Sequence, residues 1–539
     1  MARSLFSSVH LEPIAQSEST SVSGSTTSLP GTRPPGIERS AFANGGINIF
    51  IAFNLCLLML AAFILTSNAF LQWFVLPIFA CGVLVGTDAI DWFRKRLDIY
   101  DPVGFLGLYG LYFFFLAPFL HVHWDLWTLF KVTSPQDWRN WLGLMAFLNL
   151  VGLVLYLSSR CWIGAISAAR TRRIKWQLNR LRFTVVMGGA LLISGMLLVR
   201  LFASFGGLAG YIEASKNPAN WDGLGYTVAL AESFPILAFM TVIVLWGDKK
   251  IFRSWPSLMV TLLLFIAITV VCRGLRGNRS DIIWPLFWII GIVHFYVRPL
   301  SRKWIYLSLP IFLLFMYAYQ FFDYYGISGL PNIVNDDAHA ELAERTGYSF
   351  RTVVLGDLGR SDVQAFLLHR LAQTDNDYEY AWGDTYVGGV SRLIPRSIME
   401  RPPGKVQRGT EAQYGWGKYV PDSLSSSKVY GLAGETMLNF GPLGVPVAFI
   451  ILGIVVGSTR HLLITLPVKD SRRLLAPFLV NLCLVVLIAD LDNIIWFIAK
   501  DGGLPILVVA LSSSISIVSA SDKPLQRTNL DDNGIAEEL

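Results

Sequence analysis

The chain of 539 residues has few charged residues and very few cysteines. Asp, Glu, Lys and Arg make up 15% of it, whereas hydrophobic residues make up 53%. A soluble protein of this length would carry about a quarter charged residues, so this composition excludes an ordinary soluble globular protein. The five cysteines lie in or beside apolar runs. That placement excludes a disulfide framework and zinc-type cysteine pairs, and it predicts small buried side chains.

Common catalytic signatures are also missing. The sequence has no phosphate-binding P-loop and no GxSxG nucleophile elbow, which argues against the commonest ATPases and hydrolases. His121 and His123 stand close together in HVHWD, but no further ligands accompany them, so we expect no metal site. The net charge of +6 comes from basic residues beside apolar runs. This pattern favours membrane topology over nucleic-acid binding.

Apolar runs of about 20 residues recur instead, each long enough to cross a bilayer as a helix. They predict an all-α polytopic integral membrane protein with about twelve transmembrane helices. Nine spans fall within 47–322 and three within 436–520, flanked by a disordered tail at 1–46 and a polar tail at 521–539. The predicted spans are 47–66, 69–86, 103–120, 141–158, 183–203, 227–246, 255–272, 281–297, 304–322, 436–458, 474–490 and 502–520.

The distribution of Lys and Arg predicts which side the connectors face. If both tails and alternate connectors share one side, that side carries 25 basic residues and the short connectors opposite carry 7. By the positive-inside rule, the tails are then cytoplasmic. The same orientation makes 323–435 one large extracytoplasmic loop. Such long loops are usually functional or disordered, and the aromatic stretch YEYAWGDTYVGGVSRLIP favours packing over disorder.

The connector CRGLRGNRSD, residues 272–281, opposes this orientation. Its Arg273, Arg276 and Arg279 lie on the side that is otherwise poor in basic residues. Guanidinium groups at the depth of lipid phosphates suit a diphosphate, because they stay charged and bind in a bidentate manner. Arginines that snorkel to lipid headgroups are the alternative. We predict that these three arginines bind a lipid diphosphate.

Two stretches inside the loop carry further candidate residues. RLIPRSIMERPPGK presents Arg392 and Arg396 from a segment stiffened by prolines, although a solvated loop is an equal alternative. GRSDVQAFLLHR predicts a capped helix that carries Asp362 and His369. An ordinary capped surface helix is the alternative there.

Ionisable residues also lie where the loop meets the spans. Glu435, in YGLAGETMLNFGPLGVP, lies at the edge of the tenth span, and an ionisable residue at such an edge is often functional. An interfacial carboxylate in water is the alternative for Glu435. Four further residues near outer span ends could line the same cavity: Arg200, Asp323, Asp490 and Asp492.

Four stretches together resemble bacterial Wzy-type O-antigen and exopolysaccharide repeat-unit polymerases: RGNRSD, GRSDVQAFLLHR, GDTYVGGVSRLIPRSI and GLAGETMLNFGPLGVP. The resemblance covers roughly 180–460. It implies a multi-span glycosyltransferase of the GT-C class with extracytoplasmic catalysis. Such proteins join undecaprenyl-diphosphate-linked oligosaccharides by moving the growing chain onto an incoming unit. Because the leaving group is a lipid diphosphate, the resemblance implies no nucleotide sugar, no metal and no cofactor.

The resemblance also implies roles for the candidate residues. Glu435 is the expected base, with Asp362 and His369 behind it. The expected diphosphate ligands are Arg273, Arg276, Arg279, Arg392 and Arg396, and the expected sugar-stacking residues are Tyr380, Trp382 and Tyr386. The expected location is a bacterial inner (plasma) membrane with cytoplasmic termini and a periplasmic active site. The expected partners are undecaprenyl-diphosphate-linked oligosaccharides, the lipid bilayer and a chain-length regulator, with no nucleic acid.

Two other functions fit parts of the same sequence. An O-antigen ligase would use the same donor with a glycolipid acceptor. A lipid-linked oligosaccharide flippase or other transporter would place ionisable residues near the membrane midplane, in broken helices or repeats. The candidate residues found in the sequence collect instead at outer span ends and in the loop, which disfavours transport.

Overall fold

The computed structural model describes residues 38–129, 132–168, 173–215, 218–221, 223–276, 278–347, 349–374, 376–394, 398–399, 402–415, 417–420, 428–467 and 469–518. The first thirteen α-helices are α1 (Glu38–Thr66), α2 (Val75–Phe93), α3 (Pro102–Leu111), α4 (Ala117–His123), α5 (Trp138–Ala168), α6 (Arg180–Ser204), α7 (Leu208–Ser215), α8 (Gly225–Ala231), α9 (Phe234–Trp246), α10 (Lys250–Arg253), α11 (Trp255–Cys272), α12 (Ser280–Ile292) and α13 (Arg302–Tyr325).

The remaining α-helices are α14 (Asp336–Thr346), α15 (Phe350–Thr352), α16 (Ser361–Ala372), α17 (Asp384–Ser391), α18 (Lys405–Tyr414), α19 (Gly431–Phe440), α20 (Gly444–Thr465), α21 (Ala476–Ile488), α22 (Leu491–Phe497) and α23 (Gly503–Leu511). Short 3-10 turns occupy Asn68–Leu71, Pro218–Trp221, Gly274–Arg276, Ile327–Val334 and Ser471–Leu474. π-helical segments occupy Tyr112–Leu116, Val293–Val297, Val353–Asp357 and Ile498–Gly502.

The predicted class, an all-α polytopic membrane protein, is confirmed. Across the described residues, eleven helices are long and apolar enough to cross a membrane. Ten of them coincide with predicted spans, while the predicted span 474–490 corresponds to the shorter apolar helix α21. The eleventh runs from Leu491 to Leu511, through α22, a π-helical segment and α23.

The position of this last span differs from the prediction of 502–520. Lys500 and Asp501 look like the end of a connector in the sequence, yet both lie inside the helix. After Leu511 the chain forms a strand, β2 (Ser513–Val518), which pairs with β1 (Arg173–Leu178) in an antiparallel sheet. The segment SSISIV alternates small polar and apolar residues, a period of two that suits a strand. A count of apolar residues does not detect that period.

The sheet brings together three segments from the same side of the membrane domain. Trp176 in β1 donates its backbone N–H to the Asp470 carboxylate at 3.0 Å, and Asp470 belongs to the connector between α20 and α21. The charge distribution placed the connector containing β1, the one containing Asp470 and the C-terminal tail on one side. The described residues between 326 and 443 lie at the opposite ends of the spans, and we call that side the loop side.

Close contact between α5 and α20 is made at glycines. A Cβ atom on Gly152 would lie 2.6 Å from the Phe449 ring, and one on Gly453 would lie 2.5 Å from the backbone oxygen of Tyr156. Small residues at such positions let helix backbones approach closely inside a bilayer, where dispersion contacts replace the hydrophobic effect between spans. These two helices support α16, which packs on the loop end of α5.

The loop-side segment is helical rather than irregular. Among the residues described between α13 and α20 there are six short helices, α14 to α19. Their local signals are caps: Asn335 accepts a hydrogen bond from the N–H of Asp337 at 3.0 Å, and Gly347 ends α14 with φ 73°. Helices of three to twelve residues are too short to show a clear hydrophobic period, which is why the sequence predicted none.

Candidate functional site

Two of the three arginines in CRGLRGNRSD lie in a buried network of six charged side chains. We call this the six-charge cluster, and it consists of Glu232, Arg273, Arg276, Asp281, Lys500 and Asp501. The most exposed of these side chains, Arg276, has only 13% of its surface accessible. The cluster joins the α8–α9 junction, the turn after α11, the start of α12 and the π-helical segment before α23.

Every cation in the six-charge cluster faces at least two carboxylates. Arg273 Nη2 lies 2.6 Å from Asp501 Oδ1. Arg276 Nη2 lies 2.5 Å from Glu232 Oε1 and 3.0 Å from Asp281 Oδ2. Lys500 Nζ lies 2.9 Å from Glu232 Oε2 and also binds Asp281. Three cations therefore balance three carboxylates.

This balance is what allows six charges to be buried together. Loss of one partner would leave another charge uncompensated at low dielectric, which costs several kcal/mol. The π-helical segment places Lys500 and Asp501 in consecutive positions, and its Lys500 carbonyl accepts a hydrogen bond from the Ser233 hydroxyl at 3.1 Å. The six-charge cluster thus fixes the relative positions of four chain segments near their loop-side ends.

Arg279, the third arginine of the stretch, lies outside the six-charge cluster. Its Nη1 lies 2.7 Å from Asp357 Oδ2, and both side chains are about one-fifth exposed. Asp357 ends a π-helical segment whose carbonyls are bound by the Arg360 guanidinium, at 2.7 Å from Gly356 O and 3.1 Å from Asp357 O. Arg279 therefore has both an ion-pair partner and access to the surface. The Arg273 side chain also has ion-pair partners, but it is fully buried.

Glu435 is the centre of a second buried group. Its Oε1 accepts a hydrogen bond from the Thr385 hydroxyl at 2.9 Å, and its Oε2 accepts one from the Leu491 N–H at 2.5 Å. Asn439 donates to the same Thr385 hydroxyl at 2.6 Å. The glutamate is 2% exposed. It lies beneath α17 and at the start of α22, because Thr385 belongs to the first and Leu491 to the second.

Two more carboxylates flank Glu435. Asp490 accepts hydrogen bonds from the N–H groups of Tyr430 and Gly431 at 2.9 and 2.8 Å, and Lys405 Nζ lies 2.8 Å from its Oδ2. Asp492 lies 3.0 Å from Arg392 Nη2. We call these five residues the Glu435 cluster: Arg392, Lys405, Glu435, Asp490 and Asp492. It contains three carboxylates and two cations, so one carboxylate lacks a cationic partner within the cluster.

The charge imbalance has a direct electrostatic consequence. Burial, followed by the negative charge of Asp490, raises the pKa of Glu435 to about 8. Burial also raises the pKa of Asp490, while Lys405 acts in the opposite direction. Glu435 is therefore largely protonated at neutral pH, and it can exchange that proton near the pH at which an enzyme works.

The three predicted sugar-stacking residues surround the same site. Tyr386 shares a hydrogen bond with the Thr436 hydroxyl at 3.0 Å. Trp382 is 76% exposed and lies with its ring centroid 6.3 Å from that of Phe440 and 6.4 Å from that of Tyr380. Its φ of 46° is maintained by the backbone N–H, which donates to the Asn439 carbonyl at 3.0 Å. These rings form an aromatic rim above the Glu435 cluster.

Asp362 and His369 lie on α16, apart from that rim. Asp362 accepts hydrogen bonds from the N–H of Thr128 at 2.9 Å and of Val363 at 2.8 Å, and also binds the Thr128 hydroxyl. These bonds anchor the segment after α4 to the start of α16. His369 packs edge-on against Trp141 with ring centroids 5.0 Å apart, and burial, with Arg370 next, lowers the pKa of the imidazole.

The structure thus brings some predicted residues together and separates others. Five of them converge on α17, α19 and the start of α22: Tyr380, Trp382, Tyr386, Arg392 and Glu435. Arg396 lies outside the described residues. No group of three or more His, Cys, Asp or Glu side chains within the described ranges is arranged to hold a metal ion.

Sequence reasoning missed Glu232, Lys500 and Asp501. The signal was present, because a charged residue inside an apolar run is costly and is a functional candidate by default. Lys500 and Asp501 were overlooked because the last span was placed too late in the chain. No protein-family model, no curated protein and no solved structure matches this chain.

Proposed function

We propose that the protein is a glycosyltransferase that joins undecaprenyl-diphosphate-linked oligosaccharide units at the Glu435 cluster on the loop side. The observation that carries this proposal is a buried carboxyl group with its pKa raised to about 8, directly beneath an aromatic rim and beside a half-exposed arginine. A group of this pKa suits proton transfer near neutral pH. Aromatic rings suit the faces of sugars, and arginine suits phosphate.

The proposed step transfers the growing glycan from its lipid diphosphate to a hydroxyl of the incoming unit. The acceptor oxygen forms the new bond to the donor's anomeric carbon. The bond between that carbon and the phosphate oxygen breaks, and its electron pair leaves with the lipid diphosphate. The ionised Glu435 carboxylate takes the proton of the acceptor hydroxyl. Atoms and charge balance without a nucleotide or a redox partner.

Access to Glu435 requires α17 to move. The carboxyl lies beneath this helix and is bound by its Thr385. α17 packs through glycines: a Cβ atom on Gly389 would lie 3.0 Å from the backbone nitrogen of Asp492. Displacing α17 therefore requires breaking the hydrogen bonds of Thr385 with Glu435 and Asn439 and that of Tyr386 with Thr436, while its close backbone contact at Gly389 has no interlocking side chain to release.

The five predicted diphosphate ligands divide into different roles. Arg392 and Arg279 are partly exposed, so we assign them to the departing diphosphate, where positive charge stabilises the developing negative charge. Arg273 and Arg276 are bound by protein carboxylates, and we assign them to positioning the turn that carries Arg279. The ligase alternative shares this donor chemistry and differs only in its acceptor.

A second candidate function, transport of a lipid-linked oligosaccharide, is favoured by one observation. Lys500 lies in a π-helical segment inside a span, about 14 Å along the helix from Leu491. Ionisable residues within a broken span are typical of transporters. The neutrality of the six-charge cluster counts against it, because a coupling site needs a group that changes charge.

Purified protein in liposomes with defined undecaprenyl-diphosphate oligosaccharides tests these functions together. A polymerase produces a ladder of longer lipid-linked products. A ligase produces transfer only to an added lipid A core acceptor, and a flippase moves a fluorescent lipid-linked oligosaccharide across the bilayer without forming a new glycosidic bond. We expect the ladder with wild-type protein, and either of the other outcomes contradicts the proposal.

A further inference from the structure

The helix α17 has its polar and apolar faces reversed relative to a helix on a water-facing surface. Thr385, Gly388, Gly389 and Ser391 are buried against the protein, so the small and polar side chains face inward. The large apolar side chains of this segment, Val387, Val390 and Leu393, are 45–49% exposed. An aqueous environment favours the opposite arrangement.

α17 lies level with the loop-side ends of membrane spans. Its Gly389 contacts the backbone of Asp492 at the start of the last span. Just after α17, the carbonyl of Arg392 accepts a hydrogen bond from the Tyr226 hydroxyl at 3.4 Å, and Tyr226 is the second residue of another span. These two contacts hold α17 at the depth where the spans begin.

A second exposed apolar surface begins at the loop-side end of α20, from Leu443 just before this helix. Leu443, Val447 and Ile451 follow one another at intervals of four residues and are 84%, 58% and 56% exposed. Such an exposed apolar stripe on a candidate span is the surface that we expect to face lipid. Phe440 precedes that stripe, and its ring lies 6.3 Å from Trp382 and 6.1 Å from Tyr386 at the start of α17.

We propose that the apolar face of α17 (Val387 and Val390), together with Leu393 just after this helix, lies in the loop-side boundary of the bilayer, in contact with the acyl chains of membrane lipids. The occupant is lipid because this face lies at the depth where two spans begin and offers no hydrogen-bonding side chain to a sugar. Trp382, at the edge of the same surface, has the amphipathic ring that is enriched at membrane interfaces. Interfacial helices bury such apolar faces at the headgroup–acyl boundary.

This placement puts part of the predicted extracytoplasmic loop, including Arg392, at the membrane surface rather than in bulk water. Arg392 follows the apolar face directly and forms its ion pair with Asp492 at the end of a span, which places its guanidinium at the depth of lipid phosphates. If the proposed function holds, a lipid-linked diphosphate then reaches Arg392 by lateral diffusion within the membrane. The location of α17 itself does not depend on that function.

Site-directed spin labelling tests the proposal in lipid nanodiscs. The background carries Cys161→Ser, because Cys161 is the exposed one among the five cysteines and the other four are buried. Nitroxides are attached at Val387→Cys and, separately, at Val390→Cys. Glu344→Cys on α14 is the water-exposed reference, and Leu58→Cys on α1 is the lipid-facing reference. Collision rates with oxygen and with a polar nickel chelate are measured at each site.

We expect the ratio of oxygen to nickel accessibility at positions 387 and 390 to be about fivefold higher than at 344 and close to that at 58, because hydrocarbon dissolves oxygen and excludes polar solutes. A ratio equal to that at 344 would place α17 in water and overturn the proposal. Low accessibility to both reagents would mean that protein covers this face, and would overturn it as well. Using two labelled positions guards against a local effect of one substitution.

Discussion

The six-charge cluster and the Glu435 cluster are both buried near the loop-side ends of the spans, yet their charge balance differs. The six-charge cluster has three cations for three carboxylates. The Glu435 cluster has two cations for three carboxylates. A balanced network can keep all its charges and stabilise one arrangement of helices. A network with one excess carboxylate favours a protonated carboxyl group near neutral pH, and that group becomes a base when it loses its proton.

The largest effect that we expect comes from breaking the balance of the six-charge cluster. Arg273→Gln leaves buried carboxylates without their partner and should lower the free energy of unfolding by about 3–5 kcal/mol. Chemical denaturation in detergent measures it. The matched variant Arg273→Gln with Asp501→Asn removes one charge of each sign and should recover much of the loss. If the double variant is as unstable as the sum of its single changes, charge balance is not the reason for the stability.

The Glu435 cluster should respond in activity rather than in stability. Glu435→Gln keeps the shape of the side chain and can still accept from the Leu491 N–H, with its amide NH2 donating to the Thr385 hydroxyl, but it cannot accept a proton from substrate. We expect the rate of glycan elongation to fall by about 10²–10⁴-fold, measured as product ladders at equal amounts of folded protein. Glu344→Gln makes the same chemical change on the exposed face of α14 and should retain the wild-type rate. Equal rates for the two variants would remove Glu435 from the mechanism.

Substitution of the partly exposed Arg279 or Arg392 should lower the elongation rate far more than it lowers stability. Arg279→Gln and Arg392→Gln should each reduce the elongation rate by about a hundredfold, since each removes a charge from the departing diphosphate. Both members of the Arg279–Asp357 pair are partly exposed, so Arg279→Gln should change the free energy of unfolding by less than about 1 kcal/mol. Arg392→Gln should cost more than that, because its partner Asp492 is buried, but less than Arg273→Gln. Steady-state rates and denaturation of the same preparations compare the two effects. A loss of stability as large as that of Arg273→Gln would contradict the assigned roles.

The last expected effect is a pH dependence of stability. Because the folded state raises the pKa of Glu435 from 4.5 to about 8, folding favours the protonated carboxyl. This contribution to stability is complete below pH 4.5 and is lost as the pH rises through 8. Denaturation curves of the wild type should therefore show the free energy of unfolding declining over this interval more steeply than those of Glu435→Gln. Parallel pH profiles for the two proteins would contradict the raised pKa.

The sequence predicted the spans and several members of the Glu435 cluster, because both depend on local signals. Hydropathy marks the spans, and Glu435 and Arg392 are conspicuous as charged residues beside apolar or proline-rich segments. The six-charge cluster could not be predicted in the same way. Asp501 lies 228 positions from Arg273 in the chain, and hydropathy carries no information on which spans pack together. The opposition of these arginines to the charge bias, and the charged residues inside apolar runs, mark unusual positions but do not show which of them pair.

The reversed helix α17 shows another limit of sequence patterns. Its eight residues, DTYVGGVS, contain two valines and two glycines, too few to reveal which face is buried. Only the contacts of Thr385 and Gly389 with Glu435 and Asp492 define the inner face. The strand Ser513–Val518 was not predicted from the sequence for a related reason, because its partner Arg173–Leu178 is remote in the chain.

An infrared titration of the protein in lipid tests the contrast between the two clusters most directly. A protonated carboxyl group has a C=O absorption that an ionised one lacks, so the band reports the proton on Glu435. We predict a band at neutral pH that disappears as the pH rises through about 8, that is absent from Glu435→Gln and that persists in Glu344→Gln. A neutral-pH spectrum without this band, or a band that survives in Glu435→Gln, would contradict the account.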